Sequence, residues 1–306
     1  SNQPLPKIEQ FYLPVVDKEE GKPVFISGTN DKKSKNFNLQ KLINALKSTL
    51  QRELKYWEEE SRRLLIVVNS YEDTEAVAEA LRQDMYWKDK FRILTKDKQT
   101  QPYHYPKSLV EKFAYADAAL LVAPLSAIGR SYNILQPHKS ESLFGSVFFF
   151  IRPYIVPGDM NYMIQILHSF LPSFLQRIDD KRLQYGKAMG ELKRMSIAKL
   201  EQMIREPDFW KILEDKEREI LSWFTFIQVW QMTGRLLRGG TNARIFYVDA
   251  KFSPNYLKDE MDTPKTSMLE SWKNILNQQA ADPIIQALYG PFIDSLNQLQ
   301  RKIIHY

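Results

Sequence analysis

Gln231, Arg235 and Arg238 are spaced i, i+4, i+7 in the run Gln-Met-Thr-Gly-Arg-Leu-Leu-Arg-Gly-Gly at 231–240. On a helix that spacing puts three long polar side chains on one face. A guanidinium is a planar fork of donors, so two on one rigid face suit a phosphate chain. The same spacing equally describes a solvated basic face at the end of a core helix. Gly239-Gly240 reads as the helix stop. The stretch 221–230 before it is mostly apolar and aromatic, and 244–249 after it reads as a strand.

A second group lies at 127–134, Ala-Ile-Gly-Arg-Ser-Tyr-Asn-Ile. It is a glycine-containing turn with a cation and several hydrogen-bonding groups. It fits a ligand loop and equally an ordinary surface loop. A third group, Asn69-Ser70, closes the apolar run 64–68.

The elements that must carry these groups follow from periodicity. Leu39, Leu42, Ile43, Leu46, Leu50, Leu54 and Trp57 mark one face of a long amphipathic helix, with Asn38 as its expected N-cap. The densely charged region 52–63 reads as solvent-facing. The run 64–68 has no alternation, which suggests a strand buried on both faces in a parallel sheet. A helix from Tyr71 to about Asp84, strands at 91–94 and 119–123 with a short helix from Ser108 between them, and a very apolar strand at 147–151 continue a βαβ series. Right-handed crossovers set the carboxyl ends of such strands along one edge. That edge is expected to carry Asn69-Ser70, the segment 124–133 and, on the same edge, the run 231–240.

The interval 154–222 breaks this rhythm. Helices are expected from Asp159 through Leu171 and over 187–205, then a helix of about five turns over 221–238. Residues 267–278 and 283–304 read as terminal helices. Residues 3–23 read as extended, with a short edge strand at 24–26.

Composition narrows the function classes. Of 306 residues, 43% are hydrophobic, a globular composition. The formal charge of +6 permits nucleic-acid or acidic partners without requiring them. There is no cysteine, which excludes disulfides and thiolate metal sites. His104, His138, His168 and His305 are scattered without metal-ligand spacing, so no metal site is expected. No apolar run reaches membrane-spanning length and the start carries no signal-peptide pattern. The expectation is a cytoplasmic protein without a membrane partner.

Two segments together resemble a known family. Gln231-x-x-Gly234-Arg235-x-x-Arg238 resembles motif VI of superfamily 2 helicases. Residues 120–134, with Ala123-Pro124 at the strand end and Gly129 to Ile134 after it, resemble motif V. Residues 64–69 and the following helix resemble the motif IV region, and Ser27-Gly28-Thr29 is loosely similar to the Ser-Ala-Thr of motif III or to a segment near the start of the second domain. The resemblance covers roughly residues 60–250, with a large insertion between motifs V and VI. It is similar to the C-terminal RecA-like domain, and more distantly to helicase-like proteins of bacterial antiviral defence islands.

The resemblance implies an α/β fold: a RecA-like, mostly parallel sheet flanked by helices. The RecA-like domain would occupy 37–153 and 221–253. Residues 1–36 would be an extended lead-in with an edge strand, 154–220 a helical insertion and 254–306 a C-terminal helical extension. It also implies roles. Arg235 and Arg238 would reach across a cleft to the γ-phosphate of ATP, and Gln231 would orient the nucleotide or the attacking water. Gly129, Asn133 and Gly234 would lie at the nucleotide site. Asn69, Ser70, Ser126 and Arg130 would touch the backbone of a single- or double-stranded nucleic acid, expected to be DNA.

The departures are specific. Motif V usually has an acidic residue near the position of Asn133, where this chain has an amide. No Gly-x-x-x-x-Gly-Lys-Ser/Thr run is present, and no Asp-Glu-x-His box. The lysine that grips phosphates and the carboxylate that holds Mg²⁺ would therefore come from a first RecA-like ATPase domain, in cis or in trans. ATP and Mg²⁺ are expected only in that complete assembly, and this chain alone is expected to bind ATP poorly and not to hydrolyse it. Two other readings stay open: a RecA-like interaction module for nucleic acid or protein with no motor role, and an unrelated α/β enzyme with a closed pocket elsewhere.

Overall fold

The computed structural model describes residues 5–29, 31–96, 99–129, 132–153, 171–172, 175–180, 184–205 and 209–306. Arg130, Ser131, His168 and most of the helix expected from Asp159 lie outside the described residues.

The chain opens with strands β1 (Ile8–Tyr12), β2 (Val15–Asp17) and β3 (Lys22–Pro23), then helix α1 (Lys32–Tyr56). There follow β4 (Arg63–Val68), α2 (Tyr71–Arg82), β5 (Phe91–Thr95), β6 (His104–Pro106) and a 3₁₀ stretch at Lys107–Tyr115. Next come β7 (Leu120–Pro124), the one-turn α3 (Leu125–Ile128) and β8 (Phe144–Phe149). Helices α4 (Tyr185–Arg205), α5 (Phe209–Ile212) and α6 (Asp215–Leu236) lead to β9 (Ala243–Tyr247). The chain closes with α7 (Met268–Gln278), α8 (Pro283–Asn297), β10 (Gln300–Arg301) and β11 (Ile304–His305).

Eight strands form one sheet in the order β10-β1-β9-β8-β4-β7-β5-β6, and every neighbouring pair is parallel. All six residues of β8 and all five of β7 are buried. Parallel sheets need both faces covered, and the unbroken apolar runs are the sequence signature of that cover. Helices flank the sheet and further helices are inserted before β9, an α/β RecA-like arrangement. A small second sheet, β11-β2-β3, ties the two ends of the chain together.

After β4 the chain moves through α2 to β5 on one side, and after β8 it moves through α6 to β9 on the other. Right-handed crossovers taken in opposite directions place their helices on opposite faces. Between β4 and β8 the strand order therefore reverses, the kind of position at which parallel α/β sheets bind ligands.

Several expectations are corrected. The lead-in segment supplies an interior strand, because β1 lies between β9 and β10. Its inward positions include the polar Gln10 and Tyr12, both buried, so no apolar alternation advertises it. Gln10 donates to the Phe292 carbonyl and Ser295 Oγ, and accepts from the Tyr247 hydroxyl at 2.7 Å. The expected edge strand at 24–26 is a loop. Helix α1 starts six residues before Asn38: Asp31 caps it by accepting from Ser34 N, and Asn38 donates instead to the Phe25 carbonyl. The last expected helix stops at Asn297, and 300–305 add two short strands. The charged region 52–63 is not wholly solvent-facing, since Glu53 and Arg62 are buried.

Candidate functional site

Helix α6 turns Leu221, Val229, Met232, Thr233 and Leu236 inward, and this fixes what it shows outside. Gln231 and Arg238 are exposed, and Gly234 and Arg235 are half-buried. The helix stops as the two glycines suggest: Gly239 and Gly240 both have φ +76°.

Arg235 and Arg238 share one neighbourhood. Arg235 Nη1 donates to the Ile128 carbonyl at the end of α3. Burial first, and then the Arg238 guanidinium, push the Arg235 pKa below its ordinary value. Among the described residues neither guanidinium pairs with a carboxylate. A Cβ at Gly234, one turn before Arg238, would meet nothing within 4 Å. The face is thus a cationic surface beside open space, with one arginine tethered to the 125–134 loop.

That loop is locally determined. The Gly129 amide donates to the Leu125 carbonyl at 2.7 Å, and a Cβ at Gly129 would lie 2.6 Å from that oxygen. Ser126 is exposed on α3. Asn133 is exposed too, and its backbone N–H donates to Glu111 Oε1 at 3.0 Å. The carboxylate beside Asn133 thus comes from the Lys107–Tyr115 stretch, a contribution that the sequence reading missed.

Asn69 and Ser70 follow β4 at the carboxyl edge of the sheet. Ser70 is occupied as the N-cap of α2, accepting from Asp73 N while Asp73 accepts from Ser70 N. Asn69 Oδ1 is buried and has no hydrogen-bond partner among the described residues. Arg238 lies at the opposite edge, because its carbonyl accepts from Ser142 N just before β8. Six strand residues separate the two edges, roughly 20 Å. The expectation of one shared edge is not met. The structure brings Arg235, Arg238 and Ile128 together and leaves Asn69 and Ser70 apart from Arg238, with Arg130 outside the described residues.

A second missed residue anchors the arginine face. Arg62 is buried immediately before β4 and donates to the carbonyls of Ser142, Phe144, Leu236 and Asn242. It holds the last turn of α6, where Arg235 sits, against the starts of β8 and β9. Its only sequence signal is its place as the first of two arginines ahead of an apolar run.

Among the described residues no group of three His, Asp or Glu could hold a metal ion, and no helix is long and apolar enough to cross a membrane. No family model matches the chain, and no curated protein matches it. Among solved structures, one titled "Mss116p DEAD-box helicase domain 2 bound to an RNA duplex" is similar at a TM-score of 0.31 and 10% identity, over 84% of this chain and 76% of that one. A likeness of that size carries no argument about this chain.

Proposed function

We propose that this chain is the second RecA-like half of an ATP-dependent nucleic-acid helicase or translocase. Its partner is a Walker-containing first domain, in cis or in trans. The observation that carries the reading is the pair Arg235 and Arg238: neighbouring guanidiniums on one outward face, with no carboxylate partner among the described residues. Such a face can neutralise charge that builds on a transferring phosphoryl group. The residues present fit the anionic end of a nucleotide. The groups that would hold Mg²⁺ belong to the partner domain.

In this reading Gln231 and Gly234 border the phosphates, and the open space beside Gly234 lets them approach the helix backbone. Gly129 and Asn133 lie in the loop that links this face to the strand side, and Arg235's bond to Ile128 is the physical link. A shift of the 125–134 loop moves the arginine with it. Asn69, Ser70, Ser126 and Arg130 contact the nucleic-acid backbone, with DNA as the expected strand. Contacts of that kind need no base reading and suit a motor that tracks along a strand.

A second reading, an interaction module without a motor role, is favoured by the fact that one Arg235 donor is already engaged by Ile128. ATP turnover with the first domain added back separates the two. Arg235→Ala or Arg238→Ala is expected to lower turnover by about 10³-fold while the chain stays folded. Unchanged turnover in both variants removes the arginine assignment. Strand binding without any turnover favours the interaction module.

A further inference from the structure

Helix α4 turns Ala188, Leu192 and Ser196 inward at i, i+4, i+8, and the Ser196 hydroxyl donates back to the Leu192 carbonyl at 2.6 Å. The side opposite this stripe carries Lys187, Gly190, Lys193 and Arg194, all exposed. Among the described residues no carboxylate pairs with any of these three cations. The one carboxylate within 185–198 is Glu191, half-buried at the flank, where it pairs with Arg177 at 3.2 Å. A Cβ at Gly186 or Gly190 would meet nothing within 4 Å, so none of the described residues lies against the middle of this side.

The charge of this side suits an anion. Lys187 and Arg194 are separated by about 10 Å along the helix axis, about three phosphate spacings along one strand of a duplex. A lipid surface needs an apolar helix face free to enter it, and α4 turns its apolar stripe inward. A protein partner gains most from a bulky anchor at the centre of the contact. Between these cations the centre is Gly190, and the apolar Ile197 lies a turn beyond them. A glycine inside a helix costs about 1 kcal/mol relative to alanine, and the space around Gly190 would admit alanine. What the missing side chain provides is bare helix backbone between cations, which a phosphate chain can approach closely.

We propose that this side of α4 holds the sugar-phosphate backbone of a nucleic acid, with Lys187, Lys193 and Arg194 pairing with neighbouring phosphates. The assignment rests on the reading that this chain works on a nucleic acid. It gives the helices inserted between β8 and β9 a part in holding the strand. Contacts of this kind carry no base sequence, and their strength falls steeply with salt.

The test is fluorescence anisotropy of the full chain with labelled single-stranded and duplex DNA and with single-stranded RNA, at about 50 and 200 mM salt. The triple variant Lys187→Glu, Lys193→Glu, Arg194→Glu changes only exposed side chains and is expected to keep the urea midpoint. It is expected to weaken binding at least about tenfold and to lower the slope of log affinity against log salt by about 2. Lys187→Gln alone is expected to lower that slope by about 1. A control triple variant, Lys33→Glu, Lys88→Glu, Lys216→Glu, changes the net charge equally at exposed positions elsewhere. It is expected to weaken binding less than about threefold. The proposal is overturned by equal binding in wild type and the α4 triple variant, or by equal loss in the two triple variants. It is also overturned if polyglutamate or phosphatidylserine vesicles displace the nucleic acid at equal charge concentration, which would mark an acidic protein or a lipid surface as the partner. A wild-type chain that binds none of the nucleic acids at micromolar concentration in the lower salt removes the helicase reading together with this contact. Wild-type binding that survives the α4 changes removes this contact alone.

Discussion

Arg62 Nη2 donates to the Leu236 carbonyl at 2.9 Å, so a buried cation closes the helix that carries Arg235 and Arg238. Helix ends leave carbonyls without intrahelical partners, and cations favour the carboxyl end of the helix dipole. Arg62 also lies 4.5 Å from the centre of the Trp57 ring. Burial lowers its pKa to about 10, which still leaves it charged at neutral pH. The arginine face is therefore positioned from beneath by another arginine.

Arg62→Ala would leave the carbonyls of Ser142, Phe144, Leu236 and Asn242 without this donor. Ser142, Phe144 and Leu236 each keep a second donor, Gln136 Nε2, Ser142 Oγ and Thr241 Oγ1, so the cost is that of the lost charge-assisted bonds and of the space left by the side chain, reduced where water enters it. The expected loss is about 3 kcal/mol or more, read as a lower urea midpoint at unchanged slope. A loss below about 1 kcal/mol contradicts the anchoring role. Arg62→Lys is expected to recover little, because a point charge cannot reach four carbonyls as a planar fork does.

The parts of the molecule that could be read in advance are those set by local pattern. The strands at β4, β5, β7 and β9 announced themselves as apolar runs, and Gly239-Gly240 stopped α6 where the residue types demanded. Strand β1 stayed hidden because Gln10 and Tyr12 occupy inward positions through partners nearly the whole chain away. Arg62 and Glu53 read as part of a solvated charge run for the same reason: their partners come from residues 142–146 and 236–244. The face shared by Gln231, Arg235 and Arg238 followed from helical spacing. The edge of the sheet on which Arg238 ends did not, because α6 returns to the amino ends of the strands.

Two glycines should respond in opposite ways. A Cβ at Gly145 would lie 2.4 Å from the Trp57 ring, so Gly145→Ala is expected to cost about 1–3 kcal/mol by overpacking. Gly234 lies in a helix with nothing within 4 Å of its Cβ position. Gly234→Ala is expected to stabilise the chain by up to about 1 kcal/mol. Paired urea melts check both signs. If Gly234→Ala also lowers turnover in the complete assembly, the phosphates approach this turn.

Glu53 gives a pH signature. Burial raises its pKa, while Arg244 and the Ser146 hydroxyl pull it down. The folded state therefore holds this proton more tightly than the unfolded chain. The contribution is lost as pH rises from the ordinary carboxylate value through the raised folded one. Asp17 and Asp84 are shifted the other way, so their contributions are lost as pH falls. The difference between wild type and Glu53→Gln isolates Glu53. As pH rises from the ordinary carboxylate value through the raised folded one, the variant is expected to gain on wild type. A difference that does not change with pH shows that Glu53 keeps its ordinary value.

Asp249 is the residue on which the loop at 24–28 depends. Its carboxylate accepts from Ile26 N, Ser27 N and Lys251 N, and Ile26 and Ser27 lie outside the strands of both sheets. In Asp249→Ala all three lose their acceptor where the native side chain is fully buried. The expected loss is about 3 kcal/mol, and it should be concentrated locally, because the strands of the sheet keep their own ladders. Hydrogen exchange distinguishes the cases. The amides of Ile26 and Ser27 should lose protection in the variant, while that of Ile66 in β4 should keep its native rank. Asp249→Asn retains one acceptor oxygen and should fall between the two. If Ile26 and Ser27 stay protected in Asp249→Ala, the loop is held by its neighbours rather than by the carboxylate.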